Sequence, residues 1–530
     1  MRRFSLLWLF MILVAFVLCG CKRTKSPFLF KKTGLPVIET PALFTGTIQR
    51  KDCVVFVEYS DSLRVKGHCM LLDEAMSDTI PFQLDVQGNK ARLSYNKESH
   101  VFRLRYRSID HRHFDGNARL SFFKKAGFSF QMLDTPAYHS LDNGRYRDTL
   151  YRVEEVCGVP YAKVRGYWSE MGDETAVTAK ILQLGQAVNE RDLELNLDVF
   201  LPLEDTLQKR PLVMLIHGGA FYYGSKDDVS ITRWCRHLAS MGYVASSIDY
   251  RIGFIPSMAG ISRAGYRAVQ DAHAAMRYLV SHQEEYGIDT SMIFVGGTSA
   301  GAITALNLAF MTNETRPVYS HSGFLRTDLG DIDTCGNDIV ADFRIKGIVD
   351  MWGAMADTSC LRDHDIPILA FHGDADDIVP YGYDYPFRSA GAIKNLLVEK
   401  MYGSSCIVDR SIKLGHKAHL VTFSHYKHSP HVKPGTKHLN DNFYLIQDTM
   451  ATFFYDIIVP EKLEILEQNG DYSVSPEPLA TSWQVEGGVI LSSGDHGVKV
   501  AWIRNAPQRS ITVSAAMPYG VGCNVTKDIP

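Results

Sequence analysis

Between about Tyr151 and Pro460 the chain alternates short, nearly continuous apolar runs with stretches of helical periodicity. The runs are Leu212–Ile216, Gly242–Ile248, Met292–Val295, Ile345–Val349 and Pro367–Phe371. A strand apolar on successive residues must be covered on both faces, and parallel neighbours need a crossover, commonly a helix like that predicted over Tyr266–Glu285. The fold class expected for residues 150–460 is therefore α/β, with a mostly parallel central sheet between helical layers. In such sheets a site is sought at the carboxyl ends of the strands.

The flanks read differently. Over residues 41–140 the segments Cys53–Tyr59, Lys90–Tyr95 and Val101–Tyr106 are short, alternating and separated by turn residues, which predicts an antiparallel β domain. Residues 470–530 return to short strands at Ser482–Ile490, Val498–Trp502 and Ser510–Ser514, the spacing of a small β-sandwich. The run Trp483-x-Val485-x-Gly487-Gly488-x-Ile490 and the strand Val498-x-Val500-x-Trp502 resemble the PKD-type, immunoglobulin-like modules of bacterial surface proteins.

The first 21 residues form an address rather than a fold: Arg2 and Arg3 precede an apolar run from Leu6 to Leu18, too short for a secure membrane span but suited to a secretory signal. The ending Leu18-Cys19-Gly20-Cys21 resembles the lipobox of bacterial lipoproteins, which implies acylation at Cys21, with cleavage nearby and no lipid as the alternative. Acyl chains would then hold the chain to the bacterial envelope through a linker over residues 22–40, with the remainder in water. Lys22-Arg23-Thr24-Lys25 lacks acidic residues, which favours the periplasmic side. The eight later cysteines contain no Cys-x-x-Cys pair; disulfides such as Cys335–Cys360 or Cys360–Cys406 stay open. Across 530 residues, 45% hydrophobic and 22% charged, the composition excludes a disordered, collagen-like or multi-span chain. Lys plus Arg number 56 against 59 Asp plus Glu, so no chain-wide basic field draws nucleic acid.

Two motifs carry chemistry. Gly297-Thr298-Ser299-Ala300-Gly301 sits between the strand Met292–Val295 and an apolar helical run, Ala302–Met311. In that setting the pattern is a nucleophile elbow, a tight turn that lifts the Ser299 hydroxyl clear of the backbone at a helix N-terminus. Upstream, the strand Leu212–Ile216 runs into His217-Gly218-Gly219-Ala220-Phe221, whose glycines let backbone N–H groups approach a developing oxyanion. Gly218, Gly219 and Ala300 are the candidate donors.

A serine hydroxyl needs a histidine base, and the histidine a carboxylate. The loop after Pro367–Phe371 offers Asp374, Asp376 and Asp377. Asp376 is the choice, as the fifth residue of a His-Gly-x-x-Asp-x-x-Val-Pro pattern that resembles the acid loop of α/β-hydrolases. The base must come from the loop beyond Leu420–Phe423; His428 leads, with His431 and His438 as alternatives. Lys427 stands where the resembled family commonly has glycine. His425-x-x-His428-x-x-His431 could also be read as metal ligands, but the spacing fits neither a helical zinc site nor a finger.

With Asp198–Pro202, Gly224–Lys226, Asp249–Arg251 and Ala268–Asp271, the central region resembles the α/β-hydrolase superfamily, in particular carboxylesterase-like and lipase-like serine esterases. The resemblance implies ester hydrolysis through an acyl-enzyme, with Ser299, His428 and Asp376 as triad and no metal or organic cofactor. It implies a small-molecule, glycan or lipid ester as substrate. Two rivals are a serine peptidase of the prolyl-oligopeptidase type and a catalytically dead envelope binding protein that keeps the fold as scaffold.

Overall fold

The computed structural model describes residues 41–169, 190–389 and 398–530, apart from 49–50, 61–63, 73–75, 78, 88–89, 96–97, 111–112, 122–123, 134–136, 435, 437 and 461. The signal segment with Cys21 and the linker over residues 22–40 lie outside the described residues. No described helix is long and apolar enough to cross a membrane.

Two compact units divide the chain. The larger spans residues 144–461 with 519–521 and is built on an eight-stranded sheet. Its strands are β1 (Arg152–Tyr167), β2 (Glu190–Leu203), β3 (Arg210–Ile216), β4 (Val244–Ile248), β5 (Ile288–Thr298), β6 (Ile345–Met351), β7 (Ile368–Gly373) and β8 (Ala418–Phe423), in the spatial order β1-β2-β4-β3-β5-β6-β7-β8. Only the pairs β1–β2 and β2–β4 are antiparallel; from β4 onward every pairing is parallel.

The reason lies in the side chains. Every residue of β3, β4 and β7 is buried, so these strands need cover on both faces. The cover comes from α1 (Val229–Ser240), α2 (Met258–Ser281), α3 (Ala300–Phe310), α4 (Ser404–Lys413) and α5 (Asp441–Ile458). The Asp228 carboxylate caps α1 through the amides of Ser230 and Ile231, and Ser257 caps α2 through Gly260. Leu212, Met214, Ile216, Ala268, Ala272, Val295, Leu306 and Ile348 meet in one continuous core. Arg251 and Asp271 form a buried ion pair at 2.7 Å, which ties the loop after β4 to α2 away from the elbow. Cys335, Cys360 and Cys406 form no disulfide, and Cys335 Sγ instead lies 3.2 Å from Arg251 Nη2.

The second unit joins both flanks, the described residues of 41–143 with 462–518 and 522–530. Residues 42–132 close an antiparallel barrel of eight strands, sealed by Ala42–Ile48 against Lys124–Met132 with Phe44 opposite Met132. The C-terminal strands form two sheets that share a core of Tyr472, Trp483, Trp502, Ile511 and Val513. The short strand Met76–Ser77 pairs in parallel with Trp502 and Ile503, so the barrel region contributes an edge to one of these sheets.

Candidate active site

Strand β5 ends at Thr298, and α3 begins at Ala300. Between them Ser299 holds φ 53° and ψ −117°, a conformation that L-residues rarely adopt and that persists only when its surroundings enforce it. The flanking glycines show what enforces it. A Cβ on Gly297 would lie 2.5 Å from the Gly301 carbonyl carbon, and one on Gly301 would lie 2.1 Å from the Ile216 carbonyl oxygen. Both positions therefore exclude a side chain, so that α3 can pack hard against β3. The Ser299 amide donates to Met351 O at 2.9 Å, which fixes the turn to β6.

On the neighbouring strand end, His217 and Tyr250 stack at 4.3 Å. His217 Nδ1 donates to the Gly218 carbonyl at 2.7 Å, and the Tyr250 hydroxyl donates to the His217 carbonyl at 3.0 Å and lies 3.3 Å from the Gly218 carbonyl. Peptide planarity then turns the Gly219 N–H to the opposite side. Gly219, Ala220 and Phe221 all have positive φ, which curls the loop tightly after β3. Among the described residues no protein acceptor takes the backbone N–H of Gly218, Gly219, Ala220 or Ala300. Ala220 was not singled out from the sequence, yet it borders the same cavity as Ser299 and Ala300. A non-glycine residue directly after Gly-Gly in a strand-end turn is the signal that could have found it.

The loops after β7 and β8 meet the elbow. His428 Nε2 lies 2.9 Å from Ser299 Oγ, and His428 Nδ1 lies 2.7 Å from Asp376 Oδ2. Asp376 is buried, and its Oδ1 accepts the amides of Ile378 at 2.8 Å and Val379 at 3.0 Å. Burial alone would raise its pKa; the charge of His428 and hydrogen bonds from His372 and His428 outweigh that and hold the carboxyl far below the usual range. Asp376 thus stays ionised wherever the imidazole can accept a proton.

The other carboxylates organise the base loop. Asp374 accepts the His425 amide at 2.6 Å and the Ser424 hydroxyl at 3.2 Å, and Asp377 pairs with Lys427 at 3.6 Å. Gly373 is the crossing point: a Cβ there would meet the carbonyls of Tyr426 and Lys427 at 2.3 and 2.8 Å. Lys427, in a place where the resembled family commonly has glycine, is tolerated because only its backbone makes this crossing and its side chain is exposed.

The remaining histidines go elsewhere. His425 and His438 are exposed. His431 is buried, stacks on Trp352 at 4.8 Å, and places Nε2 3.0 Å from Ser230 Oγ. Burial and the nearby His428 charge push the His431 pKa down to about 3, so it stays neutral at ordinary pH. A depressed pKa contributes stability that is complete above the unfolded value, about 6.5, and is lost as pH falls toward the folded value. The slope of unfolding free energy against pH between 6.5 and 4 should thus fall by about one proton in His431→Gln, measured by urea denaturation. Among the described residues no cluster of three or more His, Cys, Asp or Glu side chains is arranged to hold a metal ion.

A second Ser–His–Asp series shares the same acid. His372 Nδ1 lies 2.7 Å from Ser404 Oγ, and His372 Nε2 lies 3.3 Å from Asp376 Oδ2. Ser404 is wholly buried in the first turn of α4, and its hydroxyl donates to Asp350. It has no elbow, and no substrate reaches it. Ser299 instead borders a cavity of about 350 Å³ walled by Phe221, Ile261, Tyr266, Val269, Ile303 and Phe310.

Parts of this chain are similar to known proteins. The BD-FAE family model matches residues 197–362, less than a third of the chain, from β2 through the elbow and β6. Gut esterase 1 of Caenorhabditis elegans is 32% identical over 119 residues, 21% of this chain and 20% of that protein. Esterase LipI of Mycobacterium tuberculosis is 33% identical over 100 residues, 19% of this chain and 28% of that protein. The chain thus spans only 20% and 28% of the length of these two relatives. An esterase of the Planctomycetes species Thermogutta terrifontis with propionate bound aligns at 19% identity and a TM-score of 0.35, covering 50% of this chain and 90% of that one. The truncated form of a carbohydrate esterase from gut microbiota aligns at 19% identity with a TM-score of 0.35, covering 58% of this chain and 98% of that one. The sheet and its elbow turn have the form of an α/β-hydrolase fold.

Proposed function

We propose that this chain is a serine hydrolase that cleaves carboxylic esters through an acyl-enzyme. The observation that carries the proposal is the unbroken series Ser299 Oγ, His428, Asp376, at 2.9 and 2.7 Å, opening on an apolar cavity at a strained elbow. In this reading His428 Nε2 takes the Ser299 proton as Oγ attacks the ester carbonyl carbon. The oxyanion is held by backbone N–H groups drawn from Gly218, Gly219, Ala220 and Ala300. His428 then gives its proton to the departing alkoxide, which leaves as the alcohol. Water, deprotonated by the same nitrogen, attacks the acyl carbonyl, and the acid departs as Ser299 regains its hydrogen. Asp376 keeps the hydrogen of neutral His428 on Nδ1 and stabilises the imidazolium. The BD-FAE match and the esterases among the relatives support this reading.

The cavity walls favour an apolar acyl group over a charged one. The proposal extends to a small-molecule, glycan or lipid ester substrate, to export and acylation at Cys21, and to a PKD/Ig-like character for the C-terminal sandwich. A panel of p-nitrophenyl esters of increasing acyl length, set beside aminoacyl amides, tests the reaction class. Esters should turn over and amides should not; amide turnover at comparable kcat/KM would replace this reading with a peptidase. Ile303→Trp should shift preference from hexanoate toward acetate esters by about tenfold in kcat/KM, since each lost apolar contact there is worth roughly 1–3 kcal/mol.

A further inference from the structure

Among the described histidines outside the proposed triad, His372 is the most deeply buried. It is the penultimate residue of β7, has no solvent exposure, and has a partner at each ring nitrogen. Nε2 faces two acceptors, Val379 O and Asp376 Oδ2, both at 3.3 Å, and so must carry a hydrogen. Nδ1 faces Ser404 Oγ at 2.7 Å, and that hydroxyl lies 2.7 Å from Oδ2 of the fully buried Asp350. Asp350 Oδ1 takes the Gly353 amide at 2.8 Å.

The Ser404 hydroxyl donates to Asp350, and its oxygen faces His372 Nδ1. His372 Nε2–H donates to Val379 O and passes at the same distance, 3.3 Å, from Asp376 Oδ2. Both imidazoles therefore meet the same carboxylate oxygen: His428 at 2.7 Å from the solvent side and His372 at 3.3 Å from inside the sheet.

We propose that His372 is a positioning residue for Asp376, anchored through Ser404 to Asp350 on the next strand, and that this buried series sets the angle at which Asp376 meets His428. Asp376 Oδ1 is already pinned by two amides, so the His372 contact removes the remaining freedom, rotation of Oδ2 away from the base. The series runs from β6 through the first turn of α4 to β7. Rigid elements rather than loops thus carry it, and small misplacements at such a site are costly.

The inference rests on the proposed esterase reading, and its test separates the two. Steady-state kinetics on p-nitrophenyl butyrate, thermal unfolding, and the low-field proton resonance of His428 Nδ1–H are measured for wild type, His372→Leu, His372→Gln and Ser404→Ala. His372→Leu should lower kcat roughly 10- to 100-fold with KM within twofold, and should shift that resonance. His372→Gln, which keeps an N–H donor, should recover part of the loss. Ser404→Ala deletes one hydroxyl and should give a smaller decrease in the same direction; it carries the test if His372→Leu does not fold. An unmoved resonance with kcat within twofold of wild type in a folded variant overturns the proposal. So does a loss that tracks only the melting temperature. If wild type turns over no ester, or Ser299→Ala turns over as much as wild type, the esterase reading fails first.

Discussion

Ser299→Ala should lower kcat/KM on p-nitrophenyl esters by at least about 10⁴-fold while the protein melts within a few degrees of wild type. The alanine keeps the elbow, because the backbone is fixed by Gly297, Gly301 and the bond to Met351, none of which involves the hydroxyl. His428 stays paired with Asp376 and loses only its contact to Oγ. The residual rate reports what the oxyanion donors achieve without a nucleophile. A fall of less than tenfold would move the chemistry away from the elbow.

Asp376→Asn should cost about 10³- to 10⁴-fold in kcat, more than its small change in volume suggests. The amide oxygen can still accept from Ile378 and Val379, which turns the NH₂ toward His428 and His372. A donor there forces His428 into the tautomer with hydrogen on Nε2, facing Ser299, where it can no longer accept. The same NH₂ opposes the Nε2–H of His372, so unfolding should also shift to lower temperature. Asp374→Asn and Asp377→Asn should each stay within about tenfold of wild-type kcat, because their carboxylates hold the loop backbone and Lys427 rather than the imidazole.

Much of this arrangement is legible in the chain because the signals are local. Apolar runs fix β3 to β7, and the elbow declares itself through two glycines that the packing at Ile216 demands. The base is not local. His425, His428 and His431 recur every third residue, and their fates diverge because His425 and Ser429 adopt positive φ, which sends His428 toward the elbow and His431 into the aromatic stack. Arg152–Tyr167 and Glu190–Leu203 are harder to see as sheet members, since charged residues alternate along their exposed portions. Barrel closure depends on a pairing between Phe44 and Met132, far apart in sequence, which no local pattern encodes. His372 did leave a trace: a polar residue at the end of the apolar run Ile368–Phe371 must find buried partners.

The central claim is that one hydroxyl among the serines is activated, and a fluorophosphonate probe with peptide mapping by mass spectrometry tests it most directly. A single covalent adduct on Ser299 is expected at neutral pH, absent from Ser299→Ala and slowed in His428→Ala. An adduct on Ser404, or an unmodified Ser299 in protein that still hydrolyses esters, would contradict it.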